Sequence, residues 1–120
     1  MNKRILVVED QEDNRRILRD LLASAGFQIL EAEDGERGVA AAETHRPDLI
    51  LMDIQMPIVD GYEATRRIKA NPELCGIPLI VVTSYALGGD EDKARAGCDD
   101  YIAKPYSPRQ LLAKIKEHLH

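Results

Sequence analysis

Read for hydrophobic and polar positions, the chain alternates short apolar runs with longer stretches whose apolar residues recur at helical spacing. The run "RILVV" (4–8) predicts a first strand. From about Glu12 to Ala25, the residues Ile17, Leu18, Leu21, Leu22 and Ala25 fall on one helical face, and Gly26 closes the helix. "QILEA" (28–32) predicts a second, half-buried strand. Asp34-Gly35 then opens an alanine-rich helix to about Thr44, where Pro47 blocks continuation. "DLILMD" (48–53) is apolar on both faces, the mark of a central strand in a parallel sheet.

A loop with Pro57 and Gly61 precedes a third helix over about 62–70, which Asn71-Pro72 ends. "IPLIVVTS" (77–84) is another buried strand. "GGDEDKARAG" (88–97) predicts a weak fourth helix, because its apolar residues are mostly alanines and it starts after two glycines. "DDYIAK" (99–104) is the fifth strand. Ser107-Pro108 is an N-cap followed by proline at the first helical position, and the last helix buries Leu111, Leu112, Ile115 and Leu119. Five strands alternating with five helices imply an α/β domain, a doubly wound parallel sheet with helices on both faces, because parallel strands need right-handed crossovers. Such sheets bind ligands beyond the carboxyl ends of their strands.

Composition narrows the function classes. The chain has 120 residues, enough for one domain with a core and too few for two. A formal net charge of −5 argues against a nucleic-acid binder. No apolar run is long enough to cross a bilayer, and "MNKR" leads into a strand with no cleavage site, so the protein is expected to be cytoplasmic. Cys75 and Cys98 stand singly, as small residues near the core of a protein from a reducing compartment. His45, His118 and His120 lie in polar surroundings and read as solvated helix ends.

The candidate chemistry appears when only the residue at each strand's carboxyl end is read. The first strand gives Glu9 and Asp10, the third Asp53, the fourth Thr83 and the fifth Lys104. Any one of them has an ordinary reading: a helix cap for an Asp, a solvated lysine, a β-branched strand residue. Together, three carboxylates, a hydroxyl and an ammonium converge on one edge of the sheet. Three close acids repel one another and call for a cation, and hard oxygen ligands with room for water suit Mg²⁺. An EF-hand reading of "DQEDN" fails, since the central glycine and closing glutamate are missing. A carboxylate can attack phosphorus and form an acyl phosphate, and Mg²⁺ with a lysine would neutralise the incoming oxygens. Thr83 could then donate its hydroxyl to the new anion, which makes a switch.

With these residues in hand, the chain resembles a response-regulator receiver domain of two-component signalling, of the CheY-like superfamily, along essentially its whole length. The motifs are "LVVED", "DLILMDIQMPIVDG", "IVVTS" and "YIAKP". The resemblance implies a flavodoxin-like sheet of strand order 2-1-3-4-5 flanked by five helices. It implies that Asp53 accepts phosphate from a histidine kinase or histidine phosphotransfer protein. Asp10, Asp53 and the backbone carbonyl of Gln55 would bind Mg²⁺, with Glu9 assisting through water. Thr83 would be the switch hydroxyl, Tyr101 the switch aromatic and Lys104 the phosphate contact, followed by a cis bond to Pro105. Ending one helix after "YIAKP", residues 1–120 are expected to be a receiver without an output domain, similar to the DivK-like cell-division regulators of alphaproteobacteria. Such proteins signal by docking onto a downstream protein target, as monomers or weak dimers, and are not enzymes beyond their own phosphorylation and dephosphorylation. A receiver fragment of a hybrid histidine kinase, or a docking module that works without phosphorylation, would carry the same residues.

One departure stands out. Between Thr83 and Lys104 the chain is a residue shorter than the family's usual spacing, and the gap falls in "KARAG". Removing one helical residue turns everything beyond it by about 100°. The helix over 88–97 is therefore expected to be short, weakly anchored or shifted. The acidic run Asp90-Glu91-Asp92 reads as a solvated helix start, or as a contact for a basic partner. Gln55 and Tyr85, each two residues after a site residue, are expected to tune the lifetime of the acyl phosphate. A haloacid-dehalogenase-type phosphatase is excluded, because Asp10 is followed two residues later by Glu12 and Asp53 by Gln55.

Overall fold

The computed structural model describes residues 3–53, 61–83 and 98–119, and the side chain of Thr83 lies outside that description. Strands β1 (Arg4–Val8), β2 (Gln28–Ala32), β3 (Leu49–Asp53), β4 (Leu79–Thr83) and β5 (Asp100–Ala103) alternate with helices α1 (Glu12–Ser24), α2 (Gly35–His45) and α3 (Gly61–Ala70). Helix α4 (Pro108–His118) follows β5. All neighbouring strands pair in parallel, in the order β2-β1-β3-β4-β5. The order 2-1-3-4-5 and the doubly wound architecture are thus as expected. Four helices occur among the described residues, and the helix expected over 88–97 lies outside them, together with the one-residue shortening and the run Asp90-Glu91-Asp92.

Strand periodicity divides the core in two. Leu6, Val8, Ile50, Met52, Leu79 and Val81 project to one face, where Ala42 of α2 and Ala64 and Ile68 of α3 cover them. Ile5, Val7, Leu51, Ile80 and Val82 project to the other, under Leu18 and Leu22 of α1 and Leu111 and Ile115 of α4. Every residue of β3 is buried, as a central strand requires, whereas the edge strand β2 is buried only at Ala32.

Local chemistry sets the helix ends. Asp34 caps α2 by accepting from the Arg37 N–H at 2.8 Å. Ser107 and Gln110 form a reciprocal capping box at α4, with Pro108 in its first turn. Gly26, at φ +97°, turns the chain out of α1 in a conformation that a side chain would strain. At Gly38 the reason is proximity: a Cβ there would lie 2.8 Å from a Val8 methyl, so α2 rides directly on the end of β1.

Three expectations need correction. Ile17 is 64% exposed and Ala25 is exposed, so the buried stripe of α1 is Leu18 and Leu22 with Leu21 half-buried. Cys75 is exposed rather than near the core, while Cys98 is half-buried against it. His118 is not a solvated helix end: its Nε2 lies 3.1 Å from Asp100 Oδ2, beside Lys114 Nζ at 3.1 Å from Asp100 Oδ1.

Candidate functional site

The acid site forms where β1 and β3 stop. The β1 ladder ends with the Glu9 N–H donating to the Ala32 carbonyl at 3.1 Å, and the chain then turns into α1 through Asp10 and Gln11. Asp53 is the last residue of β3. One carboxylate oxygen from each of Glu9, Asp10 and Asp53 lies within 4.8 Å of the others. Glu9 is 3% exposed and Asp53 6%. Burying like charges this deeply is unfavourable unless something positive or a proton joins them.

Two observations describe the electrostatics of this cluster. Lys104 Nζ, just beyond β5, lies 3.7 Å from Asp53 Oδ2. Glu9 is pushed up to about 8, first by burial and then by the Asp53 carboxylate beside it. Its Oε1 accepts from the Asn14 amide at 2.8 Å, but its Oε2 is buried with no hydrogen-bond partner among the described residues. An orphaned carboxylate oxygen facing two further carboxylates is what a missing divalent cation would leave. The donor set, all hard oxygen, fits Mg²⁺ or a similar ion.

Thr83 ends β4, paired in register with Ala103 of β5. Tyr101 lies on β5 opposite Val81, half-buried against the α2–α3 side of the core. The Lys104–Pro105 bond is cis, as the resemblance implied. Gln55 and Tyr85 lie outside the described residues. Topology thus brings Glu9, Asp10, Asp53 and Lys104 together and sets the backbone of Thr83 on the same edge.

A cavity of about 360 Å³ opens from Glu9, Asp53 and Lys104 toward α1, with Ile17, Leu18 and Tyr106 on its apolar wall. The Tyr106 phenol is held above its ordinary range by burial, then by the negative charge of Glu9 and Asp53. Neither it nor Asn14 was singled out from sequence, where both read as ordinary loop and helix residues. The thiol of Cys98, pushed up to about 11 mainly by burial, is not poised for nucleophilic work. Among the described residues, no helix is long and apolar enough to cross a membrane.

The model of the response regulator receiver domain matches residues 5–116. The chain belongs to the response-regulator receiver family. The polar-differentiation response regulator DivK of Brucella anthropi is 43% identical over 120 residues, covering 99% of this chain and 98% of that one. DivK of Brucella ovis is 42% identical with the same coverage. Among solved structures, the receiver domain of a sensor histidine kinase from Pseudomonas aeruginosa is 37% identical, with a TM-score of 0.91 over 98% of this chain and 97% of that chain. It carries a magnesium ion coordinated in its active site cleft. The chemotaxis protein CheY4 of Vibrio cholerae superposes with a TM-score of 0.92 at 25% identity, over 99% of this chain and 100% of that one. Receiver membership places the chain in two-component phosphorelay signalling.

Proposed function

We propose that Asp53 accepts a phosphoryl group from the phosphohistidine of a histidine kinase or phosphotransfer protein, or from a small acyl phosphate. The phosphorylated receiver then signals by docking onto a downstream protein. The observation that carries this reading is a buried Asp53 flanked by Glu9 and Asp10, with Lys104 3.7 Å away. In the transfer, a carboxylate oxygen of Asp53 attacks phosphorus as the P–N bond breaks. The bonding electron pair leaves with the donor's imidazole, and an acyl phosphate remains on Asp53. Mg²⁺, held by Asp10, Asp53 and the Gln55 carbonyl with Glu9 assisting, would neutralise charge on the transferring oxygens. Lys104 already faces Asp53 and offers its ammonium to the same oxygens.

Thr83 would supply the hydroxyl that engages the new anion, and Tyr101 would pack inward behind it. The surface formed by β5, α4 and the helix expected over 88–97 would then change. Phosphorylation can shift that equilibrium only by the difference in its contacts with the two states. The receiver is read as a cytoplasmic monomer or weak dimer with no nucleic-acid partner, acting through protein docking. It turns over nothing but its own phosphoryl group. Incubation with a radiolabelled, phosphorylated histidine phosphotransfer protein tests this directly. Label should pass to the receiver with Mg²⁺ and stay on the donor after chelation. Label remaining on the histidine in both cases, across a panel of such donors, would overturn the reading.

A further inference from the structure

Two side chains from the first turn of α1 grip the acid site without belonging to it. Arg15 Nη1 donates to the Glu9 carbonyl at 2.9 Å and reaches the Asp10 carbonyl at 3.4 Å. Its side chain is only 15% exposed, and its Nε lies 3.6 Å from Glu31 Oε1 on β2. Glu31 Oε2 is in turn 3.4 Å from Arg19 Nη1. The adjacent Asn14 amide donates to Glu9 Oε1 at 2.8 Å.

The need for this grip follows from the chain path. At Glu9 and Asp10 the backbone has left the β1 ladder, and two successive carbonyls need donors from elsewhere. The Arg15 guanidinium serves both from one nitrogen while its Nε stays turned toward Glu31. The residues whose backbone it fixes are the two that carry acid-site carboxylates. Without a cation the Asp10 and Asp53 carboxylates repel each other, and a loop free to move would splay the cluster apart. Fixing the backbone through Arg15 and the Glu9 carboxylate through Asn14 keeps the oxygens converged before any ion arrives, and pre-organisation of that kind raises affinity.

We propose that Arg15 and Asn14 are positioning residues for divalent-cation binding, with Glu31 aiming Arg15 from β2. This rests on reading Glu9, Asp10 and Asp53 as the cation site. The test is the Mg²⁺ dissociation constant, measured by calorimetry without any phosphodonor, alongside thermal stability in EDTA. Arg15→Met and Asn14→Leu should each weaken Mg²⁺ binding by about tenfold, the scale typical of groups that orient metal ligands. Arg15→Lys should recover part of the loss. Arg16→Met, one position along, should change the constant by less than about twofold, since Arg16 is 58% exposed and its ion pair is with the likewise solvated Glu12, at 4.0 Å. If Arg15→Met does not fold, Glu31→Gln leaves Arg15 in place but unaimed, and should still weaken binding severalfold. Variants that lose thermal stability yet bind Mg²⁺ as the native chain does would overturn the proposal and leave these residues merely structural. A native chain that bound no Mg²⁺ would instead remove the cation reading on which the proposal stands.

Discussion

Raising the pH should strengthen Mg²⁺ binding at the acid site, because a proton on Glu9 stands in for the cation when none is bound. Glu9 is pushed from an ordinary 4.5 to about 8 by burial and then by Asp53, while the Asn14 amide and the Lys104 ammonium pull it back down. Carboxylate ligands must be ionised, so binding expels the proton. At about pH 7, one unit below the Glu9 value, about a tenth of the molecules are already ionised. The apparent affinity should therefore be about tenfold weaker there than at about pH 9, with close to one proton released per ion bound.

The same shift governs stability without the cation. Below about 4.5 both native and unfolded chains hold the proton, and the stability from a neutral buried Glu9 is fully present. As pH rises toward about 8 the unfolded chain has released it and the native chain has not, so stability falls by an amount on the order of a few kcal/mol. Saturating Mg²⁺ should reverse the fall by binding the native state alone. Calorimetry in two buffers of different ionisation enthalpy counts the protons, and urea unfolding in EDTA reads the stability. Glu9→Gln should abolish the proton release. An affinity flat from about pH 6 to about pH 9, with no proton released, would refute the reasoning.

Other outcomes follow from packing. Gly38→Ala should lower stability by about 1–2 kcal/mol in urea unfolding, because contact with a stiff, buried Val8 outweighs the gain in helix propensity. Gly76→Ala, where a Cβ meets nothing within 4 Å, should be neutral or stabilise by up to about 1 kcal/mol. Lys69→Met should cost about 2–3 kcal/mol in the same assay. Lys69 Nζ donates to the Cys75 and Ile77 carbonyls at 3.1 and 2.8 Å and to Asp99 Oδ2, which also accepts from the Leu79 N–H, and all three acceptors would lose the lysine's donor and charge. Exchanging both Gln55 and Tyr85 should alter the rate at which the acyl phosphate on Asp53 is lost, and an unchanged rate would exclude them as tuning positions.

The fold was legible because its strands announce themselves. "DLILMD" carries no polar alternation, so only a strand covered on both faces explains it, and β3 is buried throughout. The candidate site was legible for a related reason: acids that end apolar runs cannot be core and are placed on one sheet edge by topology alone. What escaped was anything depending on tertiary distance. Ile17 fits the helical period of α1 as well as Leu18 does, but only the crossing of α1 over the sheet decides that it faces solvent. Arg15 reads as one more charge on a solvated helix. Nothing near it in sequence hints that Glu31 waits on the neighbouring strand or that two carbonyls need its donors. His118 and Asp100 meet only because α4 folds back along β5.

The most direct measurement is intact mass after incubation with acetyl phosphate, with and without Mg²⁺, for the native chain and Asp53→Ala. A single phosphoryl adduct that requires Mg²⁺ and disappears in Asp53→Ala is the expected result. An adduct that persists in Asp53→Ala, or none under rapid quenching with Mg²⁺ present, would contradict the assignment of Asp53 as the phosphoacceptor.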